Sequence, residues 1–573
     1  MRLAARLLAL VALVAAQAAL AQPESKILRV TFQAAETGFD PVRVHDYYSG
    51  HVLEAVYDTL LTYDYLARPA KLVPNAAEMP QISADGKTYT FRIKKGIYFT
   101  DDPAFKGTKR ELTAQDFAYS IRRFFDPKNR SPYAFLYTGK IVGLDELGAR
   151  AKAGAKFDYD SPLAGLVTPD PYTLVIKLTH PDRDLPYVLA FPVTSAVARE
   201  VIEAYGDESP SHPVGSGPFL LKRYTRSSKI VLAANPGYRG KLWDFVPGDD
   251  PRQREIASQM QGKKLPRLDA VEISIMEETQ SRWLAFERGE TDIEYQLWDV
   301  APTFMTDDGR LRPEFVRRGI QLDRTIDPEI TYLYFNMQER IGDSPNPVGG
   351  FGKERIALRR AIAMSYKVDD QIRIIRKGQA VRAEYPVPPG VAGHDPGYRS
   401  LIPYDPRAAN ELLEKFGYRK GADGYRRQPD GAPLVIRNAS TPTERDRQFD
   451  ELLKLEKQCR HMTRMAAWIA DYPDGDNFMQ LLYGPNVNES NNACYRSKEF
   501  DRRYEKSRRL ADGPERDRLY HEMTRLMEVD TVWLLLDSRI RNALQQPHVV
   551  GFTKHPVLHT EWLYLDLAPR SGD

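Results

Sequence analysis

Residues 85–99 read DGKTYTFRIKKGIYF, and residues 112–120 read LTAQDFAYS. The first stretch opens with an Asp-Gly turn and continues with alternating side chains, which is typical of a strand over Tyr89–Ile93. In the second stretch Thr113 is placed to cap a helix, with Asp116 at the third position as a weaker form of the capping box. The helix is expected to end before Asp126-Pro127. A strand followed closely by a capped helix is the beginning of a mixed α/β pattern.

The same mixture continues along the chain without an internal repeat. Further strands are predicted at 27–32, 173–178, 219–223, 229–233 and 270–275. Helices are predicted at 49–61, 279–288, 354–365, 406–416, 445–458, 499–510 and 514–529. Strands and helices mixed on this scale indicate α/β lobes that each have their own sheet.

Composition excludes several classes of protein. The chain has 573 residues with 81 Lys and Arg against 78 Asp and Glu, so no strongly basic domain for nucleic acid is indicated. Two cysteines exclude a disulfide scaffold and any four-cysteine metal site. The length suggests three to four domains at about 150 residues each.

The first 21 residues have the pattern of a cleavable signal peptide. A cationic start is followed by an apolar run, and Ala19-Leu20-Ala21 supplies small residues before a cut at Gln22. A membrane anchor is the alternative, but the run is shorter than the roughly 20 residues that a spanning helix needs. No Cys follows the cut, so a lipoprotein anchor is not indicated there. We expect a large, soluble, exported protein.

Motifs for catalysis are incomplete. Gly215-Ser216-Gly217 is one spacer short of a nucleophile elbow. His521-Glu522 lacks the second His of a zinc protease motif. We therefore expect no enzyme, no cofactor and no metal site, and an exported hydrolase remains the alternative from another class.

An ordered series of segments carries a family resemblance over nearly the whole mature chain. Besides the two opening stretches, the segments are 56–60, 72–78, 215–219, 288–293, 332–336, 358–363 and 468–478. The sequence resembles the family 5 extracellular solute-binding proteins, which are the oligopeptide- and dipeptide-binding components of ABC importers. The resemblance implies a periplasmic protein that acts as a monomer and delivers short peptides to a membrane permease. Nickel chelates, haem or oligosaccharides are alternative ligands within the same family.

The family's fold implies two lobes that close by a hinge, in a two-lobed periplasmic-binding-protein-like fold of the large peptide-binder class. Lobe I is expected at 22–68, 210–325 and 535–573, and lobe II at 326–534. An inserted subdomain is expected at 69–209.

The resemblance also suggests a ligand site. Asp471 occupies the position that pairs with the peptide α-amino group in the family, and no cation can be nominated for the peptide carboxylate. These assignments have structural alternatives. Asp471 could cap the following turn, Trp468 could belong to the core, and Tyr334 and Asn336 could serve strand packing. The expected ligand-binding residues are Asp471, Trp468, Tyr472, Asn477, Tyr334 and Asn336.

One stretch departs from the family. Relatives carry a strand and a helix of lobe II before the position of Trp468, whereas here residues 456–467 alone intervene. A shortened lobe II would expose a sheet edge, so a non-transporting degenerate paralogue is a further alternative. Cys459 and Cys494 flank the region, and a disulfide between them would compensate for the missing element. Two free thiols are the other possibility.

Overall fold

The computed structural model describes residues 25–570 except 45, 441–451, 453 and 511. The predicted signal peptide and most of the predicted helix at 445–458 lie outside the described residues. No described helix has the length and apolar character needed to cross a membrane.

A large mixed sheet runs through the molecule. Its strands are Ile27–Phe32, Phe219–Thr225, Lys229–Ala234, Ala270–Ile275, Ile293–Tyr295, Gln321–Ile326, Glu329–Phe335, Ala380–Arg382, Asn438–Ala439, Thr463–Ile469 and Trp533–Gln545. The 13-residue strand Trp533–Gln545 joins the two halves of the sheet, because its end at Gln545 pairs with Gln321–Ile326 and its start at Trp533 pairs with Glu329–Phe335. Both pairings are antiparallel.

The two halves of the sheet belong to two lobes with separate cores. The first lobe surrounds Ile27–Phe32, which pairs in parallel with Ala270–Ile275. The second lobe surrounds Glu329–Phe335 and contains an apolar cluster that includes Phe478, Tyr520 and Trp533. Two cores joined by crossing strands allow the lobes to move as separate bodies.

A small subdomain packs on the first lobe and shares its core. Its four-stranded sheet has the order Gln81–Ile82, Thr88–Arg92, Thr173–Lys177 and Leu166–Asp170. The helix Ala114–Arg123 follows the predicted cap, and the Asp116 carboxylate accepts a hydrogen bond from the Thr113 backbone N–H at 2.8 Å. The buried Arg123 then binds Asp40 of the first lobe through two hydrogen bonds of 2.8 and 2.7 Å.

Short paired strands and helices complete the fold. The paired short strands are Leu61–Tyr63 with Leu72–Pro74, Lys241–Leu242 with Lys264–Leu265, Arg340–Ile341 with Ser344–Pro345, and Val549–Val550 with Asp566–Leu567. The remaining α-helices are Tyr47–Val56, Leu144–Lys152, Leu185–Val188, Arg199–Tyr205, Pro251–Met260, Thr279–Glu287, Ala301–Phe304, Pro313–Arg317, Lys353–Met364, Val368–Asp370, Pro406–Lys415, Asp476–Met479, Lys498–Ser507 and Pro514–Asp530. Short segments of 3₁₀ or π-helix lie at Pro103–Phe105, Ala134–Leu136, Pro192–Thr194, Gly206–Ser211, Gln371–Ile375, Gln480–Leu482, Gly484–Asn486 and Trp562–Tyr564.

The helix predicted at 49–61 is wrong at its C-terminal end, because the observed helix ends at Val56. The Val56 carbonyl accepts a hydrogen bond from the Gly217 backbone N–H at 2.9 Å. A Cβ on Gly215 would lie 1.9 Å from that carbonyl oxygen, so the backbone can approach only with glycine at this position. The Gly-Ser-Gly motif therefore has a packing role, and the Ser216 hydroxyl donates to Asp58 at 2.8 Å.

The region that departs from the family contains a disulfide. Cys459 and Cys494 are bonded, with their Cα atoms 6.2 Å apart. Within the described residues the outer edge of Thr463–Ile469 pairs with the two-residue strand Asn438–Ala439, so most of that edge has no strand beside it.

Candidate functional site

A cavity of about 200 Å³ lies between the lobes. All three parts of the fold contribute to its walls, and we call it the inter-lobe cavity. Its lining residues are Val44, Asp46, Tyr47, Gly50, Tyr133, Phe191, Pro192, Val193, Ala467, Trp468, Ile469, Ala470, Asp471, Arg541, Pro556, Val557, Leu558 and His559. A water molecule occupies about 30 Å³ in the liquid, so the cavity has room for a small ligand or for several waters.

Asp471 is placed at the cavity by the edge of the second-lobe sheet. The strand Thr463–Ile469 pairs with Glu329–Phe335, and the Ala470 backbone N–H donates to the Pro328 carbonyl at 2.8 Å. The chain then leaves the sheet, so the side chain of Asp471 reaches the space between the lobes.

Asn477 fixes the Asp471 carboxylate. Its amide Nδ2 donates to Asp471 Oδ2 at 2.9 Å, and its Oδ1 accepts from the Asp471 backbone N–H at 3.0 Å. The same Oδ1 accepts from the Trp468 indole Nε1 at 2.9 Å. The amide therefore holds both Asp471 and Trp468 in place at the cavity.

Asp471 has no cationic partner among the described residues. Burial raises its pKa to about 7, and the hydrogen bond from Asn477 opposes part of that rise. The nearby Tyr133 also has a pKa raised well above its usual range, through burial and through the charge of Asp471. A carboxylate in these surroundings is ready to pair with a cation that enters the cavity.

The other ionisable groups on the cavity wall leave this negative charge uncompensated. Arg541 is committed to Asp327, with Nε 2.9 Å from Asp327 Oδ1, and it also donates to the Tyr47 hydroxyl. Burial, with Lys554 and Arg541 nearby, lowers the pKa of His559 to about 3, so this imidazole is neutral near pH 7. The cavity therefore favours a positively charged group.

One part of the cavity wall is aromatic and apolar. Phe191 and Tyr133 pack edge to face with ring centroids 5.3 Å apart, and Phe191 also lies 5.7 Å from the His559 ring. A Cβ on Gly50 would come within 2.5 Å of the His559 ring, so this glycine makes room for the imidazole. Aromatic walls of this kind suit an apolar side chain.

The structure brings together some of the expected site residues. Trp468 and Asp471 line the cavity, and Asn477 joins them. Tyr472 lies beside Asp471, but it is buried against the core of the first lobe and its hydroxyl donates to Asp476 at 2.6 Å.

Tyr334 and Asn336 do not line the cavity. Tyr334 is fully buried in the second-lobe core and donates to Glu456. The Asn336 amide donates to the carbonyls of Cys459 and His461, both at 2.7 Å. Because both side chains point toward the interior of the lobe, the expectation that they face the cleft is wrong.

Sequence reasoning missed the cavity residues of the first lobe and of the subdomain. Tyr133, Phe191, Arg541 and His559 are separated by up to hundreds of positions along the chain. No spacing signal connects them, since the fold alone brings them together.

Comparison with known proteins identifies the family. The profile of the bacterial extracellular solute-binding proteins, family 5 (middle region), matches residues 71–460. Di/tripeptide-binding protein 2 of Pseudomonas aeruginosa is 29% identical, covering 96% of each chain. The dipeptide-binding protein of Escherichia coli is 25% identical, covering 94% of each chain.

Solved structures share the fold. The periplasmic binding protein DppA of Helicobacter pylori, in complex with peptide STSA, has a TM-score of 0.71 at 21% identity, covering 95% of this chain and 98% of that chain. OppA of Haemophilus influenzae, in complex with RPPGFSPFR, has a TM-score of 0.70 at 19% identity, covering 95% and 99%. The two-lobed α/β fold with an inserted subdomain, expected from the sequence, is thereby confirmed. With a profile match over more than half of its length, this chain belongs to the bacterial extracellular solute-binding proteins of family 5.

Proposed function

We propose that this protein binds short peptides outside the cytoplasm and delivers them to the membrane permease of an ABC importer, acting without covalent chemistry. One observation carries the ligand class: Asp471 presents a carboxylate, without a cationic partner among the described residues, to a cavity between two lobes. An ammonium group on the ligand would supply the missing charge. The names of the Pseudomonas and Escherichia relatives support peptides as the source of that ammonium.

A peptide fits the rest of the cavity as well. Its α-ammonium would pair with Asp471 while its first side chains pack against Phe191, Trp468 and Leu558. Among the described residues the cavity offers the ligand no unpaired cation, so recognition is concentrated at the amino end.

The test separates the ammonium from the rest of the ligand. Isothermal titration measures binding of the dipeptide Ala-Phe and of N-acetyl-Ala-Phe to wild-type protein and to Asp471→Asn, each refolded free of ligand. We expect the substitution to weaken Ala-Phe binding by about 30- to 5,000-fold, since breaking a buried charge pair costs about 2–5 kcal/mol. N-acetyl-Ala-Phe should bind wild type and variant equally weakly.

The exposed Asp430, substituted as Asp430→Asn, serves as the control and should leave both affinities unchanged. Equal binding of free and acetylated peptide to wild type would overturn the role of Asp471. Failure of wild type to bind a pool of di- to pentapeptides would overturn the proposed function itself.

Export is tested separately. The proposal expects the mature protein to begin at Gln22 after cleavage, to be recovered from the periplasmic fraction and to sediment as a monomer. N-terminal sequencing of that fraction checks the first point, and retention of residues 1–21 would contradict it.

A further inference from the structure

A cluster of buried charges connects the second lobe to the subdomain on the opposite side of the cleft. The second lobe contributes two arginines and two carboxylates, and the subdomain contributes two carboxylates and a lysine. We call this the inter-lobe ion cluster, and its members are Lys140, Asp182, Asp184, Asp474, Asp476, Arg508 and Arg516.

Arg516 lies between one carboxylate of each side. Its guanidinium binds Asp474 of its own lobe through two hydrogen bonds of 2.6 and 2.7 Å. The same group lies 3.5 Å from Asp184 Oδ2 on the subdomain. Arg516, Asp184 and Asp474 are each no more than 4% exposed, so water screens these charges weakly.

Arg508, directly after the helix Lys498–Ser507, also lies between one carboxylate of each side. Its Nη2 lies 3.3 Å from Asp182 Oδ2 of the subdomain, and its Nε lies 3.9 Å from Asp476 Oδ1 of its own lobe. Asp182 also binds Lys140 within the subdomain at 2.8 Å. Although burial opposes it, the charges of Lys140 and Arg508 hold the pKa of Asp182 below its usual range.

This pairing suits a contact that forms and separates. If the lobes move apart, three ion pairs within the separate parts remain. They are Arg516 with Asp474, Arg508 with Asp476, and Lys140 with Asp182. Opening therefore leaves none of these arginines without a carboxylate, which would otherwise cost several kcal/mol. Closure adds the two pairs that cross the cleft.

The cluster is also connected, through a short segment of chain, to the Asp471 carboxylate at the cavity. Asp474 and Asp476 lie between Asp471 and Asn477, the two residues that hydrogen-bond each other at the cavity. The Asp474 carboxylate further accepts from the Asp476 backbone N–H at 2.7 Å, which makes the segment compact. Movement of either arginine would be transmitted to Asp471 through this segment.

We propose that the inter-lobe ion cluster is a closure latch: Arg508 and Arg516 position the segment 471–477 for the ligand and bind Asp182 and Asp184 when the lobes close. The inference rests on the proposed function, and it assigns these residues a positioning role that strengthens ligand retention. Asp182 and Arg508 form the cross-cleft pair best suited to a test, because Asp182 keeps its charge.

The experiment is a double-mutant cycle with Asp182→Asn, Arg508→Gln and the double variant. Titration with Ala-Phe gives the dissociation constants, and urea unfolding gives the stability of each ligand-free protein. We expect each single substitution to weaken peptide binding roughly tenfold and the double variant to be no weaker than the worse single variant. The pair also forms in ligand-free protein when its lobes close, so some coupling is expected in unfolding as well.

A matched control pair lies on the outside of the second lobe. Arg503 and Glu522 contact each other at 2.7 Å, and Arg503 belongs to the helix that ends next to Arg508. The cycle with Arg503→Gln and Glu522→Gln should leave the dissociation constant unchanged. A purely structural role of the Asp182–Arg508 pair would instead give coupling in ligand-free unfolding and none in binding, which would overturn the latch.

A wild-type protein that binds no peptide would refute the proposed function but would still allow the latch to be judged. Small-angle X-ray scattering of ligand-free protein then compares wild type with the double variant. A compact wild type and an expanded double variant would support the latch. Identical scattering curves would overturn it.

Discussion

Replacing Asp471 by Asn should stabilise the ligand-free protein at pH 8. The carboxylate is held at the inter-lobe cavity with an Asn477 amide as its partner and with no cation among the described residues. Its ionised form is therefore disfavoured in the folded protein, and the pKa rises from 3.8 to about 7. Asn keeps the shape and can still accept the hydrogen bond from Asn477, but it carries no charge.

The magnitude follows from the shift in pKa. A rise of about three units corresponds to at most about 4 kcal/mol at about 1.4 kcal/mol per unit. Asp471 borders the cavity and is partly exposed, so solvation reduces the expected cost to about 1–3 kcal/mol.

The direction in which stability changes with pH follows from proton binding. Between about pH 4 and pH 7 the folded protein binds the proton at Asp471 more tightly than the unfolded chain does, so this residue lowers stability as the pH rises. Above about pH 7 the cost is complete. The advantage of Asp471→Asn over wild type should therefore grow by about 1–2 kcal/mol between pH 5 and pH 8.

Urea unfolding of ligand-free protein at both pH values measures this difference, with Asp430→Asn as the exposed control. The control should remain within about 0.5 kcal/mol of wild type at both pH values. A difference between Asp471→Asn and wild type that does not change with pH would refute the reasoning, since the carboxylate would then be well solvated. A less stable variant at pH 8 would refute it as well.

Two further predictions concern the neighbourhood of the segment 471–477. A Cβ on Gly475 would lie 2.6 Å from the ring of Tyr520, so Gly475→Ala should lower the unfolding free energy by about 1–3 kcal/mol. The control Gly237→Ala should change the unfolding free energy little. Equal unfolding midpoints of Gly475→Ala and wild type would contradict this packing. The double variant Cys459→Ser and Cys494→Ser should lower the unfolding free energy by about 4 kcal/mol, because the disulfide closes a loop of 35 residues. Thiol titration of denatured wild type that finds two free thiols would contradict the disulfide.

Much of the local structure could be predicted because it depends on neighbouring residues. The strands Ile27–Phe32 and Ala270–Ile275 have the predicted bounds, since their alternation and flanking turns are local signals. The strand Trp533–Gln545 was not predicted. Its two ends pair with different halves of the sheet, and such a crossing depends on contacts between residues about 200 positions apart along the chain.

The candidate site divides in the same way. Trp468, Asp471 and Asn477 could be found together because they lie on one stretch of chain that resembles the family. Tyr334 and Asn336 were misplaced because alternation along a strand defines two faces without saying which one meets the cleft. The partners Phe191 and His559 carry no local signal at all.

The segment 471–477 shows how neighbouring carboxylates can be told apart by their partners. Asp474 binds Arg516 through both oxygens, and Asp476 lies near Arg508 and accepts from the Tyr472 hydroxyl. Asp471 has a neutral amide in place of an arginine, although it borders the cavity. A residue kept only for stability would gain from a cation at that position. Under the proposed function, a weakly compensated charge at this position lowers the stability of the empty protein and reserves the pairing energy for a cationic ligand, which is the trade expected of a binding site.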